Sequence, residues 1–410
     1  KMEKQKASKS KTNDKESSLL KQKRKSSMEK SKKTVFVSED EDSKKPKKVN
    51  QSNKDLGMNN DSDEIIIVRS DTQSAEDALL EASYPTISIA LPSSIIDNAQ
   101  SKELRSYLVG QLARTCSIFK VDEVVIFHDS LNKGTYKDKL NFCLTNLQYL
   151  ETPQYLRKLL FPINEDLSLV GLMNPLDSDH HLRSNEFIKY REGVVLNRPA
   201  KDNKGSWVNI GLKKDCFLEQ SLPERTRVTI KLDKECKDLH DQTELNIQNN
   251  CPKKYYTGKV VSSLEPKSKG YSWGFFVRVV DKFDELFNNS IFKNEKYDLV
   301  IGTSDKGKTH EKLDLSKDSK LISKLRKKKK IDKVKHCLIV FGGIQGLEGV
   351  VDDEESNKVN RENLQDLFDC YVNTCPNQGS RTIRTEEALM VTLSVLKDKL
   401  KKCNEVKEEE

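Results

Sequence analysis

No stretch of this chain is apolar for long enough to cross a bilayer, and no charged-then-apolar leader opens it. Neither a helical membrane span nor a secretory signal is therefore expected, and no membrane partner. The nine cysteines include no Cys-x-x-Cys pair, and their number is odd. That argues against a disulfide framework and for mostly buried free thiols in a reducing compartment. Cys370 and Cys375 are close, but no further Cys or His stands near them at a zinc spacing, so no metal site is expected. Aromatics are few in residues 1–82. A stretch of Lys, Ser, Asp, Glu and Asn with so little apolar surface cannot offset its ordering entropy. The chain begins at Lys1 rather than Met, as a fragment of a longer protein would.

Charge is what the chain has in abundance. Of 410 residues 33% are charged, with a net charge of +8. So polar a chain is not one compact body. Residues 1–82 read as a disordered basic tail and 403–410 as an acidic one. The positive balance favours anionic partners, nucleic acid first, although excess Lys also serves solubility alone. Basic clusters at 21–25 and 44–48 suit nuclear import or RNA contact, and equally plain solvation.

Ordered structure is expected from Pro85. Ile87, Ile89 and Leu91 alternate with Thr86, Ser88 and Ala90, the period of a strand. Ser101 suits a helix cap, and Leu104, Leu108, Leu112, Cys116 and Phe119 form one helical face behind it. A second strand follows at 124–127, which makes a β-α-β unit and an α/β domain with parallel strands over 83–186. His180 and His181 read as structural or RNA-contacting, because adjacent side chains diverge in any regular element. Five strand-like runs, at 193–196, 207–210, 227–232, 256–261 and 273–279, predict a small barrel of the OB type over 187–286. Its Lys213, Lys214, Tyr256 and Trp273, with Trp207 and Tyr255, suit base stacking and phosphate contact, or for the aromatics the barrel core. The α/β pattern returns over 287–402, so the barrel reads as an insertion.

Three strands in this last part run into Gly-bearing segments, at 302–307, 342–349 and 374–384. Parallel strands place their carboxyl ends on one edge, where ligands bind. Within these bounds none of the segments holds a phosphate-binding Gly-Lys-Ser/Thr or the dinucleotide spacing of glycines, and a nucleoside held by backbone groups is expected rather than a phosphate-anchored cofactor. The third segment leads into an amphipathic helix, with Thr385 as its expected cap and Glu386 and Glu387 at the positive end of its dipole. A well-capped loop without a ligand fits the same residues.

The wording of several stretches carries a resemblance. Ile87 to Pro92, Asp97-Asn98-Ala99-Gln100, residues 122–127 and 153–158, Asn174-Pro175-Leu176-Asp177, Tyr190-Arg191-Glu192-Gly193, Ile301-Gly302-Thr303-Ser304, residues 341–348 and the third segment resemble the SPOUT class of S-adenosylmethionine-dependent RNA methyltransferases. Within it they resemble a eukaryotic and archaeal family with an OB-like insert that includes a centromere-associated human member. The resemblance implies a trefoil-knotted α/β domain and a homodimer. It implies that S-adenosylmethionine is held by Gly302, Thr303 and Ser304, by Phe341, Gly342, Gly343, Gly346, Leu347 and Glu348, and by Asn373, Cys375, Gln378, Gly379, Ser380, Thr382 and Ile383. Arg114, in Arg114-Thr115-Cys116, stands where related enzymes carry a catalytic Arg, and a surface ion pair is its alternative. Asn98 is expected to orient the target base, and Arg381 and Arg384 to bind substrate phosphate. The implied substrate is structured RNA, ribosomal RNA foremost, with a uridine ring nitrogen as acceptor and the nucleus or nucleolus as location. The competing reading is a non-catalytic RNA-binding scaffold at the spindle or kinetochore. Residues 306–336, with the basic run 326–330, depart from the family and are expected to be largely a disordered insertion.

Overall fold

The computed structural model describes residues 34–38, 47–48, 65–69, 85–129, 136–200, 204–244, 255–281, 283–288, 290–292, 296–343, 346–351 and 364–405. Most of the expected tail lies outside these. Three short strands fall within it, β1 (Thr34–Ser38), β2 (Lys47–Lys48) and β3 (Ile65–Arg69). The ordered body opens with β4 (Thr86–Pro92), α1 (Lys102–Ile118), β5 (Glu123–Phe127), α2 (Tyr136–Glu151) and α3 (Gln154–Leu160). Strands β6 (Tyr190–Val195), β7 (Ser206–Asn209), β8 (Cys216–Leu218), β9 (Arg227–Leu232) and β10 (Tyr256–Val261) follow, with α4 (Cys236–Glu244) between β9 and β10. Then come α5 (Leu264–Ser268), β11 (Phe276–Val280), β12 (Leu299–Thr309), α6 (Lys320–Lys329), β13 (His336–Val340), α7 (Glu348–Val351), β14 (Cys370–Asn373) and α8 (Thr385–Lys401).

Six strands form one sheet in the order β11-β5-β4-β13-β12-β14, and every pairing in it is parallel. Strands β4, β5 and β13 are buried along their whole length, as parallel strands covered on both faces must be. On one face lie α1, α2, α6 and α8, whose Leu108, Leu112, Leu140, Leu147, Ile322, Leu325, Leu389 and Leu393 pack on Ile87, Ile89, Val124 and Ile339. On the other, α7 and the turns at Phe283–Phe287 and Leu364–Leu367 pack Phe283, Leu347 and Leu364 on Phe127, Leu338 and Tyr371. Ser101 caps α1 as expected, its Oγ accepting from the Leu104 N–H at 3.3 Å. Leu104 itself points outward and is 53% exposed.

Strands β6 to β10 close into a five-stranded barrel. They run β10-β8-β7-β6-β9, and β9 pairs back to β10. Only β8 and β10 are parallel within it. One barrel strand differs from the expected set. Residues 276–280 pair with β5 at the edge of the large sheet instead, and the strand that completes the barrel is Cys216–Leu218, three residues too short to show a period. A second correction concerns the basic run. It is not a disordered insertion but the ordered helix α6, capped by Ser319 and anchored by Ile322 and Leu325. Two of its cations are bound to structure: Arg326 donates to the Cys403 carbonyl at 2.9 Å, and Lys329 meets Asp369 at 2.7 Å.

A buried ionic cluster joins barrel to sheet domain. Arg227 on β9 donates to both oxygens of Glu151 on α2 at 2.6 and 3.0 Å, and to Glu192 on β6 at 2.7 Å. Trp273 donates its ring N–H to Glu192 at 2.7 Å, and His180 lies 3.1 Å from Glu151. Burial alone would raise the Glu151 carboxyl, but Arg227 and His180 bring it well below the usual range. The same carboxylates outweigh burial at Arg227 and hold its charge. The two histidines are thus structural: His180 and His181 both bond the Glu151 carbonyl, at 2.8 and 2.7 Å.

Candidate active site

Because the strands are parallel, the segments after β4, β5, β12, β13 and β14 gather on one edge of the sheet. The segment after β13 is the tightest. Gly343 and Gly346 pair with each other across a turn. A Cβ on Gly342 would collide with the Gly346 carbonyl carbon and the Leu347 nitrogen. Gly346 takes φ +73°, a conformation that favours glycine. Two backbone runs are thereby pressed together, with Phe341 and Leu347 buried beneath them.

The segment after β14 wraps alongside. Asn373 accepts from the Cys375 N–H at 3.0 Å and donates to the Asp305 carbonyl at 2.8 Å. Gln378 donates to the Ser380 carbonyl at 3.0 Å. Thr385 is not the cap expected of it. Arg384 occupies that position, its N–H donating to Glu387 at 3.0 Å, while Thr385 donates to the Gly342 carbonyl at 3.0 Å. That bond ties the third segment to the second. Gly379 faces open space, and a Cβ placed on it would meet nothing within 4 Å. Gly379, Ser380, Arg381, Thr382 and Arg384 are exposed, and Ile383 is half-buried.

The first segment differs from the expected loop. Residues 302–307 belong to β12, which leaves register between Thr303 and Lys308 and rejoins β14. Gly302 to Thr309 spells Gly-x4-Gly-Lys-Thr, the pattern of a phosphate-binding loop. Such a loop needs a strand end and a helix start, and here the whole stretch is strand. Thr303 donates to the Val340 carbonyl at 3.0 Å, and Lys306 lies 3.3 Å from Glu348. The Tyr371 hydroxyl is buried beside the Ser304 and Glu348 side chains. Burial pushes that phenol up to about 12. Polar side chains beside turned-back backbone fit a polar, nucleoside-sized ligand. Among the described residues no group of three His, Cys, Asp or Glu is arranged for a metal.

Asp129, after β5, is a site residue that pattern reading passed over. It is 3% exposed, and it accepts from the Ser94 N–H at 3.1 Å, from the Ser94 hydroxyl, and from the Ser93 hydroxyl at 3.4 Å. Burial raises its carboxyl above the ordinary value against those bonds. Its Oδ2 would be 3.3 Å from a Cβ on Gly343, so it braces the segments after β4 and β5 beside the Gly343 turn. The signal was present only as a strand end, 123–127, followed by His-Asp.

The other expected residues divide. Asn98 lies after β4, at the same edge. Arg114 does not join it. It is near the far end of α1, and its guanidinium donates to the carbonyls of Pro175, at 3.4 Å, and Leu176. Arg105, in the first turns of α1, is the arginine at the Asn98 end, its Nε donating to the Ala99 carbonyl at 3.3 Å. In the barrel, Lys213 is exposed and Lys214 half-buried. Tyr256 and Trp273 are 1% and 4% exposed, so neither ring is open to a base. Tyr256 fills the barrel core, and Trp273 is held by Glu192. The accessible aromatics are their neighbours. Trp207 packs tilted against Phe217 at 5.3 Å and edge-on to Tyr255 at 5.2 Å, with the Arg198 guanidinium 4.3 Å above its ring.

Comparison with known proteins sharpens this picture. Residues 86–396 match a family described as "Putative RNA methyltransferase". The chain is 43% identical over 323 residues to the human 28S rRNA (uridine-N(3))-methyltransferase, covering 76% of this chain and 77% of that protein. It is 36% identical over 384 residues to the Drosophila melanogaster protein of the same name, covering 86% and 72%.

Proposed function

The chain belongs to this family of RNA methyltransferases, and we propose that it moves a methyl group from S-adenosylmethionine to the ring N3 of a uridine in ribosomal RNA. The observation that carries the reading is the joined pair of segments after β13 and β14. Their backbone is brought together by Gly342, Gly346 and the Thr385 bond, and they fit a nucleoside. Gly302, Thr303, Gly342, Gly343, Leu347, Asn373, Gln378, Gly379 and Ile383 would hold the donor. Bound there, S-adenosylmethionine supplies an electrophilic methyl group on a sulfonium. A neutral uridine carries a proton on N3 that must leave before the nitrogen lone pair attacks. The gain in rate comes from positioning and from stabilising the deprotonated ring. Asn98 and Arg105 lie at the right end of α1 to orient the base and face that charge. Arg381 and Arg384 are free to meet backbone phosphate. Arg114, spent on the 175–176 carbonyls, stands apart from the chemistry.

The finer architecture follows the same reading. The barrel is of the OB type, supported by its Greek-key strand order and its single parallel pair. Trp207, Phe217 and Tyr255 with Arg198 give it a stacking surface for single-stranded RNA. The chain leaving β14 at the sheet edge passes the segment after β13 before α8 packs by α1, a path that supports a trefoil knot. Leu104, Tyr107 and Ile118 on α1 and Met390 on α8 are 53%, 45%, 50% and 47% exposed. This apolar stripe supports a homodimer formed through α1 and α8. An enzyme of ribosomal RNA belongs in the nucleus or nucleolus. Titration calorimetry with S-adenosylmethionine tests the reading. Saturable heat at micromolar to millimolar donor is expected, and no heat at millimolar donor would sink it.

A further inference from the structure

The edge of the sheet opposite the candidate site is also built for an anion. Helices α1 and α8 both end there, since each returns from the carboxyl edge. Lys120 follows α1 and Lys397 and Lys401 lie in the last turns of α8. The three crowd one another: beside burial, the charges of Lys120 and Lys401 lower the Lys397 ammonium. Helix α6 joins the same edge. The bond from Arg326 to the Cys403 carbonyl at 2.9 Å, and those between Asn404 and Val334 at 3.1 and 2.7 Å, seat its end against the end of α8. Lys327, Lys330 and Lys402 are exposed there. Asp398, 3.9 Å from Lys401 and 84% exposed, and the exposed Asp332 and Glu405, close in sequence to Lys330 and Lys402, are the nearby carboxylates, and exposed carboxylates so loosely held neutralise little of the group.

We propose that this lysine band, on α6 and the ends of α1 and α8, is a second RNA-binding surface that grips the phosphate backbone of structured RNA. The band takes phosphates and not bases, because its exposed Lys327, Lys330 and Lys402 are flexible ammonium groups and the ring at hand, Phe119, is half-buried with Lys397 5.6 Å over it. It stands about 25 Å from the site, the length of the 17-residue α1. A folded RNA that offers its target at the carboxyl edge therefore wraps the sheet domain to reach it. Crowded like charges, which cost stability in the free protein, are relieved when the counter-charge arrives. The proposal rests on the RNA methyltransferase reading for its partner.

The experiment compares the full chain with the variant Lys327→Glu/Lys330→Glu/Lys402→Glu and with a charge-matched control, Lys158→Glu/Lys234→Glu/Lys237→Glu. Binding of large-subunit ribosomal RNA is measured across salt concentrations. Each phosphate contact contributes roughly 0.7–0.9 to the slope of log affinity against log salt. The band variant should lose about 2–3 from that slope and roughly 10- to 100-fold in affinity at 0.15 M salt. The control should keep the wild-type slope. Lys→Gln at the same three positions should reproduce the loss with an unchanged melting temperature. Equal slopes for band variant and control would overturn the proposal, as would binding of phosphatidylserine vesicles through the band with RNA affinity intact. Donor calorimetry on the same variants keeps the two readings apart: the band variant should bind S-adenosylmethionine as the wild type does, and absence of donor binding in the wild type would sink the activity, not the band.

Discussion

Arg227→Met removes the one cation that sits between two buried carboxylates. Three bonds to carboxylates go, at 2.6, 3.0 and 2.7 Å, with a fourth to the Thr152 hydroxyl at 3.3 Å, and Glu151 and Glu192 are left without their shared cation. Breaking a buried ion pair from one side costs about 3–5 kcal/mol, because the remaining charge is uncompensated. With a urea slope of roughly 1–3 kcal/mol/M, the midpoint should fall by about 1–5 M. Trp273 lies in the cluster, so its fluorescence in a Trp207→Phe background reports the loss directly. The cluster spans α2, β6 and β9 and fixes the barrel to the sheet domain. The variant should therefore raise the KM for RNA while leaving donor affinity intact, since no cluster residue belongs to the donor segments. A stability loss below about 1 kcal/mol would refute the claim that these charges are tightly desolvated. An unchanged RNA KM with the expected loss of stability would show that barrel orientation does not govern substrate capture.

Gly342→Ala forces a carbon into the Gly346–Leu347 backbone and should weaken donor binding more than tenfold by calorimetry, while Gly171→Ala, outside the donor segments and with nothing within 4 Å of the added carbon, should leave it unchanged. Tyr255→Ala should lower affinity for single-stranded RNA by about 1–3 kcal/mol in fluorescence titrations, while Tyr256→Ala, a core truncation, should lower the melting temperature. Acid should destabilise the fold in two stages. His181 is held at about 3, by burial and then by His180, against an ordinary 6.5. The unfolded chain thus takes that proton first, and the stability His181 lends is full above pH 6.5 and drains as the pH falls toward 3. Glu151, ordinarily 4.5 and depressed in the fold, lends stability above pH 4.5 that is lost below it. Denaturation free energy should decline from pH 6.5 downward by up to about 1.4 kcal/mol per pH unit for each proton, more steeply below 4.5. A flat profile between pH 6.5 and 4.5 would contradict the assigned burial of His181.

Strand periodicity and Gly-bearing strand ends made the α/β domain and the carboxyl edge of its parallel sheet legible in the sequence. Ile87, Ile89 and Leu91 alternate with the smaller Thr86, Ser88 and Ala90 and so read as a strand, but that alternation concealed that the strand is buried along its whole length. Strand β8 did not, since three residues hold no period, and its absence leaves residues 276–280 as the apparent fifth barrel strand when their partner is β5. Burial was the harder quantity. Tyr255 and Tyr256 are adjacent and chemically alike, yet alternation along β10 sends one into the core and the other to solvent. The position of Arg114 was not legible either: motif likeness gives no direction along a helix, and only the topology shows that α1 carries it toward the 175–176 carbonyls. Asp129 escaped because its partners, Ser93 and Ser94, are 35 or more residues away in sequence.

The central claim is transfer of a methyl group to uridine N3. Its most direct measurement is nucleoside mass spectrometry of ribosomal RNA from cells lacking the protein, after incubation with the purified chain and S-adenosylmethionine bearing a labelled methyl group. The account predicts label in N3-methyluridine, abolished by Gly342→Ala. Label in a ribose methyl or in another base, or no label in RNA under conditions where the donor binds, would contradict it.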